Sequence, residues 1–86
     1  MNMEEIIKQK LEDGLQPEVL EVVNESHLHA GHAGDDGSGQ THFRVKVVSA
    51  EFRGMSRIEM HGMVQDQLQG CFLNGLHAIA ISASAA

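Results

Sequence analysis

Thr41-His42-Phe43-Arg44-Val45-Lys46-Val47-Val48 alternates without a break, with Phe43, Val45 and Val47 on one side and His42, Arg44 and Lys46 on the other. A period of two belongs to a β-strand with one buried face and one wet face. The stretch therefore demands a sheet with its core on a single side. Upstream, Leu20-Glu21-Val22-Val23-Asn24-Glu25-Ser26 combines β-branched and apolar residues with polar ones on the opposite phase, and reads as a first half-buried strand. Downstream, His77-Ala78-Ile79-Ala80-Ile81 reads as a short final strand, followed by a small-residue tail from Ser82 to Ala86.

Two helices fit between and before these strands. Asn2 followed by Glu5 has the form of an N-cap with its reciprocal partner, and Ile6, Ile7, Leu11 and Leu15 follow at helical spacing. A first helix over about Met3–Asp13 is predicted, with Gly14 and Pro17 supplying its stop. Ser56-Arg57-Ile58-Glu59 is a capping box, and Met60, Val64, Leu68 and Cys71, helped by Met63 and Phe72, form the apolar stripe of a second long helix that ends at Asn74-Gly75. The predicted order is α-β-β-α-β. It makes an α+β fold of two layers, a three-stranded sheet covered on one face by two helices.

The chain has 86 residues, enough for one domain spanning 1–86 and too few for two. With 42% apolar residues but three Phe and neither Trp nor Tyr, the core must be built from Ile, Leu, Val, Met and Ala. Twelve acidic against six basic side chains give a formal charge of -6, and Lys8, Lys10, Arg44, Lys46, Arg53 and Arg57 are scattered along the chain. Such a chain repels phosphate backbones and anionic membranes. The single cysteine, Cys71, excludes an internal disulfide and an all-cysteine metal site, and points to a reducing compartment such as the cytoplasm. No apolar run marks a signal peptide or membrane span, so no membrane association is expected. An organelle matrix is the alternative address for a chain from which a transit peptide has been removed.

Histidine is the residue type that stands out. Ser26-His27-Leu28-His29-Ala30-Gly31-His32 carries three, and Gly75-Leu76-His77-Ala78-Ile79 a fourth. Neutral imidazole is the commonest protein metal ligand. The glycine-rich segment from His27 to Gln40 shows no periodicity and reads as a long, flexible loop, of the kind that is functional or disordered in compact domains. By residue type alone, His29 reads first as a solvated loop histidine and His77 as a polar residue capping a strand entry. His42 reads as structural, His61 as a partly exposed helix residue and Cys71 as core packing. Asp35 and Asp36 lack the spaced oxygen ligands and terminal glutamate of a calcium loop. No nucleophile turn and no glycine-rich phosphate loop before a helix is present, so the chain is expected to be non-enzymatic.

Taken together, LEVVNES (20–26), His29-Ala30-Gly31-His32, Thr41-His42-Phe43, Val47-Val48-Ser49, Phe52-Arg53-Gly54-Met55-Ser56 and Leu76-His77-Ala78-Ile79 closely resemble the BolA-like family. The resemblance runs from the first helix to the last strand. It implies an α-β-β-α-β fold similar to class II KH domains. It also implies a role in iron–sulfur cluster trafficking or iron regulation, through a 2Fe-2S cluster bound jointly with a monothiol glutaredoxin. In that family the ligands are the histidine of the C-terminal Gly-x-His-Ala stretch and a His or Cys three positions after the serine closing the first strand. These positions are His77 and His29, with His32 as the second choice for the loop ligand, placing the chain in the histidine-loop branch. The glutaredoxin's cysteine and a glutathione thiolate complete the four ligands. Two imidazoles in place of thiolates lower the negative charge on a cluster and raise its potential, and protonation below about pH 6 competes with iron.

The rival reading is a KH-like transcriptional regulator that binds DNA through the second helix and its preceding loop. Gly54-Met55-Ser56-Arg57 lacks the second glycine of the KH clamp, and Met60-His61-Gly62 stands where the family usually has Arg-His-Arg. With the acidic net charge, these departures argue against nucleic acid as a partner. A redox-linked protein that docks on glutaredoxin without a cluster is a third reading, and homodimerisation is compatible with each.

Overall fold

Phe43, Val45 and Val47 lie at the centre of a three-stranded sheet in the computed structural model, which describes residues 2–29 and 39–86. In chain order the elements are α1 (Met3–Leu15), β1 (Val19–Asn24), a 3-10 helix (Ser26–His29), β2 (His42–Ser49), a second 3-10 helix (Ala50–Phe52), α2 (Arg57–Gln67), α3 (Gln69–Leu73) and β3 (Ala78–Ala85). The strand order is β1-β2-β3. β1 runs antiparallel to β2, with Leu20 opposite Val47 and Val22 opposite Val45. β3 runs parallel to β2, with Ile79, Ile81 and Ala83 beside Phe43, Val45 and Val47.

The expected α+β architecture with helices over one sheet face is present. Ile7, Leu11 and Leu15 of α1, Val64 of α2 and Cys71 of α3 are buried in one cluster with Leu68, Phe52, Leu76 and the inward residues of β2. Most of these side chains are sealed from water, and each large aliphatic one contributes about 1.5–3 kcal/mol by burial. On the opposite face Arg44 bonds Glu25 at 3.1 Å and Lys46 approaches Glu21 at 4.0 Å. The Lys46–Glu21 pair is exposed and adds little to stability, while Glu25 is partly covered.

Several boundaries differ from the sequence reading. α1 continues through Gly14 to Leu15, and its left-handed cap is Gln16, at φ 45°, whose N–H bonds the Glu12 carbonyl. Gly14 lies under the Gln67 side chain, whose amide end would have to swing aside for a β-carbon there. β1 ends at Asn24, because Ser26 already belongs to the 3-10 helix that opens the predicted loop. The predicted long helix is divided at Leu68, whose N–H bonds Gln65 three residues back and whose φ and ψ are -102° and 9°. Gly70, a poor helix former, follows at once. β3 is longer than predicted, since the tail Ser82–Ala85 continues the ladder beside Lys46–Ser49. His42 keeps the sheet face that alternation assigns to it, but it is covered there and is 6% exposed.

Ser49 ties the two layers together. Its buried hydroxyl donates to the Leu15 carbonyl at the end of α1 and accepts from the Glu51 N–H at 3.1 Å. Ser49→Ala leaves both groups without that partner and should cost about 1–3 kcal/mol, read as a lower urea midpoint at unchanged m-value.

The capping box of α2 is complete: the Glu59 N–H donates to Ser56 Oγ at 3.2 Å, and the Ser56 N–H donates to Glu59 Oε1 at 2.9 Å. The bond from the Ser56 backbone, seconded by the Ser56 side chain, holds the Glu59 carboxyl below its ordinary pKa. A carboxyl lowered by folding stabilises the fold above its unfolded pKa, and that contribution disappears as pH falls through the folded one. Glu59→Gln keeps the shape with a neutral acceptor. It should be less stable than the wild type at about pH 7, and the difference should shrink as pH is lowered toward about 3, when denaturant curves are compared across that range.

Candidate metal centre

Three chain segments meet at one end of the sheet. The antiparallel pairing brings the end of β1 beside the start of β2, and the parallel pairing brings the start of β3 there as well. Ser26, 4% exposed, is the junction. Its hydroxyl accepts the N–H groups of Thr41 at 3.0 Å and His42 at 3.1 Å, and lies 3.3 Å from the His42 carbonyl, to which it donates. The Asn24 side chain accepts the Ser26 N–H at 2.9 Å and donates to the Gly39 carbonyl at 2.8 Å, binding both ends of the intervening segment.

Thr41 carries the junction across to β3. Its carbonyl accepts from the N–H groups of His77 at 2.8 Å and Ala78 at 3.1 Å. Local sequence delivers His77 to this point. The Asn74 side chain donates to the Gly70 carbonyl at 2.7 Å, Gly75 turns at φ 115°, a value few other residues adopt, and Leu76 is buried at 3% exposure. His77 follows with an exposed side chain.

Of the histidines singled out from sequence, His77 and His29 are brought to this same end, His29 as the last residue of the 3-10 helix that begins at Ser26. His27 is exposed in that helix. His32 lies outside the described residues, as do Asp35, Asp36 and most of the predicted loop. His61 is half-buried on α2.

The structure adds a histidine that the sequence reading assigned to structure alone. The His42 ring lies 5.3 Å from that of His77, centroid to centroid, at an interplanar angle of 48°. Its Nδ1 is 2.8 Å from Thr41 Oγ1. The signal was available in Thr41-His42-Phe43, but only the register that sets His42 beside Ala78 reveals its closeness to His77.

Among the described residues, no three His, Cys, Asp or Glu side chains converge as a metal site. The His42 and His77 imidazoles share the sheet end with the Glu25 carboxylate, which Arg44 engages at 3.1 Å. Cys71 is not among them. It is 2% exposed in α3, at a cavity of about 150 Å³ that Met3, Ile6, Lys10, Gly70 and Asn74 also line. Burial pushes its thiol pKa up, against a smaller opposing effect of Lys10.

A family model described as BolA-like protein matches residues 11–86. The chain belongs to the BolA-like family. BolA-like protein 1 of Mus musculus is 47% identical over 81 residues, covering 94% of this chain and 56% of that protein. SufE-like protein 1, chloroplastic/mitochondrial, of Arabidopsis thaliana is 44% identical over 81 residues, covering 90% of this chain and 22% of that protein. The chain thus spans little more than half of one relative and about a fifth of the other. A solved structure of the BolA domain of SufE1 from Arabidopsis thaliana superposes with a TM-score of 0.86 at 40% identity, covering 95% of this chain and 90% of that one. No helix among the described residues is long and apolar enough to cross a membrane.

The raised pKa of Cys71 makes a reactivity prediction. A protonated, buried thiol is a poor nucleophile, so native protein at neutral pH should react with iodoacetamide at least about tenfold more slowly than urea-unfolded protein, as followed by mass spectrometry.

Proposed function

We propose that this BolA-like chain is a non-enzymatic partner of a monothiol glutaredoxin, with which it co-binds a 2Fe-2S cluster for iron–sulfur cluster trafficking or iron regulation. The observation that carries the reading is the placement of His77. Its side chain is exposed while its backbone is fixed by the bond to Thr41, at the same sheet end as the Ser26–His29 segment. A ligand needs access on one side and a rigid attachment on the other, and His77 has both.

His29 is assigned as the second ligand, with His32 as the alternate from the same segment. The remaining two positions fall to the cysteine of the glutaredoxin and to a glutathione thiolate. Such a bound cluster would supply electron-transfer or transferable-iron chemistry at a potential raised by its imidazole ligands. The chain's own part is to present neutral imidazole nitrogens and to hold their spacing through the Ser26 and Thr41 bonds. The buried Cys71 fits this division, with thiolates coming from the partner. Membership of the BolA-like family supports the same direction. A reducing compartment, the cytoplasm or an organelle matrix, suits the partner's thiols.

The test is the ultraviolet–visible spectrum of the pair co-purified with a monothiol glutaredoxin and glutathione. His77→Ala should shorten the lifetime of the cluster absorption by at least about tenfold, and His29→Ala should do so more than His32→Ala. Cluster absorption and lifetime unchanged in both His77→Ala and His29→Ala would refute the ligand assignment.

A further inference from the structure

We propose that His42 is a positioning residue for His77, its fixed ring holding the exposed imidazole in the orientation in which it meets a metal. The purpose rests on the cluster-binding reading above, whereas the geometry does not. His77 sits outside β3, where an exposed side chain is ordinarily free to exchange rotamers. One side of its ring is met by His42 at a centroid separation of 5.3 Å, and His42 is itself 6% exposed.

One bond restrains the ring of His42 and two hold its main chain. Thr41 Oγ1 lies 2.8 Å from its Nδ1 and restrains the ring, while Ser26 Oγ takes the His42 N–H at 3.1 Å and gives its hydrogen to the His42 carbonyl. Thr41 also binds the His77 N–H through its carbonyl at 2.8 Å. Ring and main chain of His77 thus both neighbour one dipeptide, Thr41-His42. The neighbours on the same sheet face sharpen the argument. Arg44 and Lys46 reach into solvent at alternate positions, and the residue opposite His42 in β3 is the small Ala78. Burying a polar ring on a wet face costs free energy unless its nitrogens are satisfied, and an aliphatic side chain could fill the space without that demand. A planar ring with a hydrogen-bonded edge gives what an aliphatic one does not: a flat surface at a fixed angle.

Outer groups that orient metal-binding histidines typically change affinity by about 10–100-fold when removed. The experiment has two arms. In the chain without metal, NMR couplings and ring NOEs of His77 should report one dominant rotamer, which His42→Ala converts to averaged values and His42→Phe, which keeps a ring, largely restores. Thr41→Val, which keeps His42 but removes the hydroxyl anchor, should average His77 partially. Backbone amide shifts of Ser26 and Ala78 verify that each variant is folded.

In the co-purified glutaredoxin pair, His42→Ala should shorten cluster lifetime by about tenfold and alter its visible circular dichroism, with His42→Phe close to wild type. If His77 is already averaged in the wild type, or is unmoved by His42→Ala and Thr41→Val, the positioning role is wrong. If His42→Phe leaves His77 ordered yet loses the cluster as His42→Ala does, His42 acts through its nitrogens and the role is again overturned. A wild-type pair that assembles no cluster defeats the cluster-binding reading instead, and the NMR arm still decides the role of His42.

Discussion

A parallel pair of strands cannot be closed by a tight turn, and the position of the histidines follows from that constraint. The chain must leave the far end of β2 and return to the near end before β3 can begin, and α2 and α3 make this journey. The return sets Ala78 beside His42, so the residue just before β3 arrives where β2 starts. The antiparallel β1 finishes at the same end, opposite Phe43. Two histidine-bearing segments far apart in sequence are neighbours because one sheet contains one parallel and one antiparallel pair. The helices that make the crossover also contribute to the core, since Val64, Leu68 and Cys71 join its buried cluster.

Where three chain ends converge, backbone groups lose ladder partners, and buried donors or acceptors without partners would cost about 1–3 kcal/mol each. Ser26 and Thr41 meet that demand with short side chains. One hydroxyl of Ser26 serves two N–H groups and one carbonyl, and one carbonyl of Thr41 serves two N–H groups. The fold's need for hydrogen bonds therefore fixes the site's spacing. Stability and function share these bonds at the junction, while His77 contributes its ring without being part of the core.

How much of this was readable from sequence depends on how local each feature is. β2 and the α2 capping box are written in adjacent residues, and both appear where alternation and the Ser56–Glu59 spacing place them. The longer extent of β3 is not local. Ser82, Ser84 and Ala85 carry almost no hydrophobic signal, and they are strand because Lys46, Val48 and Ser49 pair with them. The division at Leu68 and the left-handed Gln16 are likewise imposed by the path of the chain, since neither residue type marks a helix end. At the candidate centre, the type of residue and the two segments were legible. The burial of His42 was not, because alternation reports a face and says nothing of what covers it: here Thr41, Ser26 and His77, gathered by pairing partners distant in sequence.

The two neighbouring histidines differ in how deeply the fold depends on them. The structural bond of His77 is made by its main-chain N–H, which any residue but proline retains, so its imidazole can be removed with little consequence for β3. His42 is different: its ring is buried and hydrogen-bonded, and deleting it opens space and strands Thr41 Oγ1 together. An exposed ring dispensable to the fold, beside an enclosed and hydrogen-bonded one, is the arrangement expected when rigidity has to be supplied from outside the exposed ring.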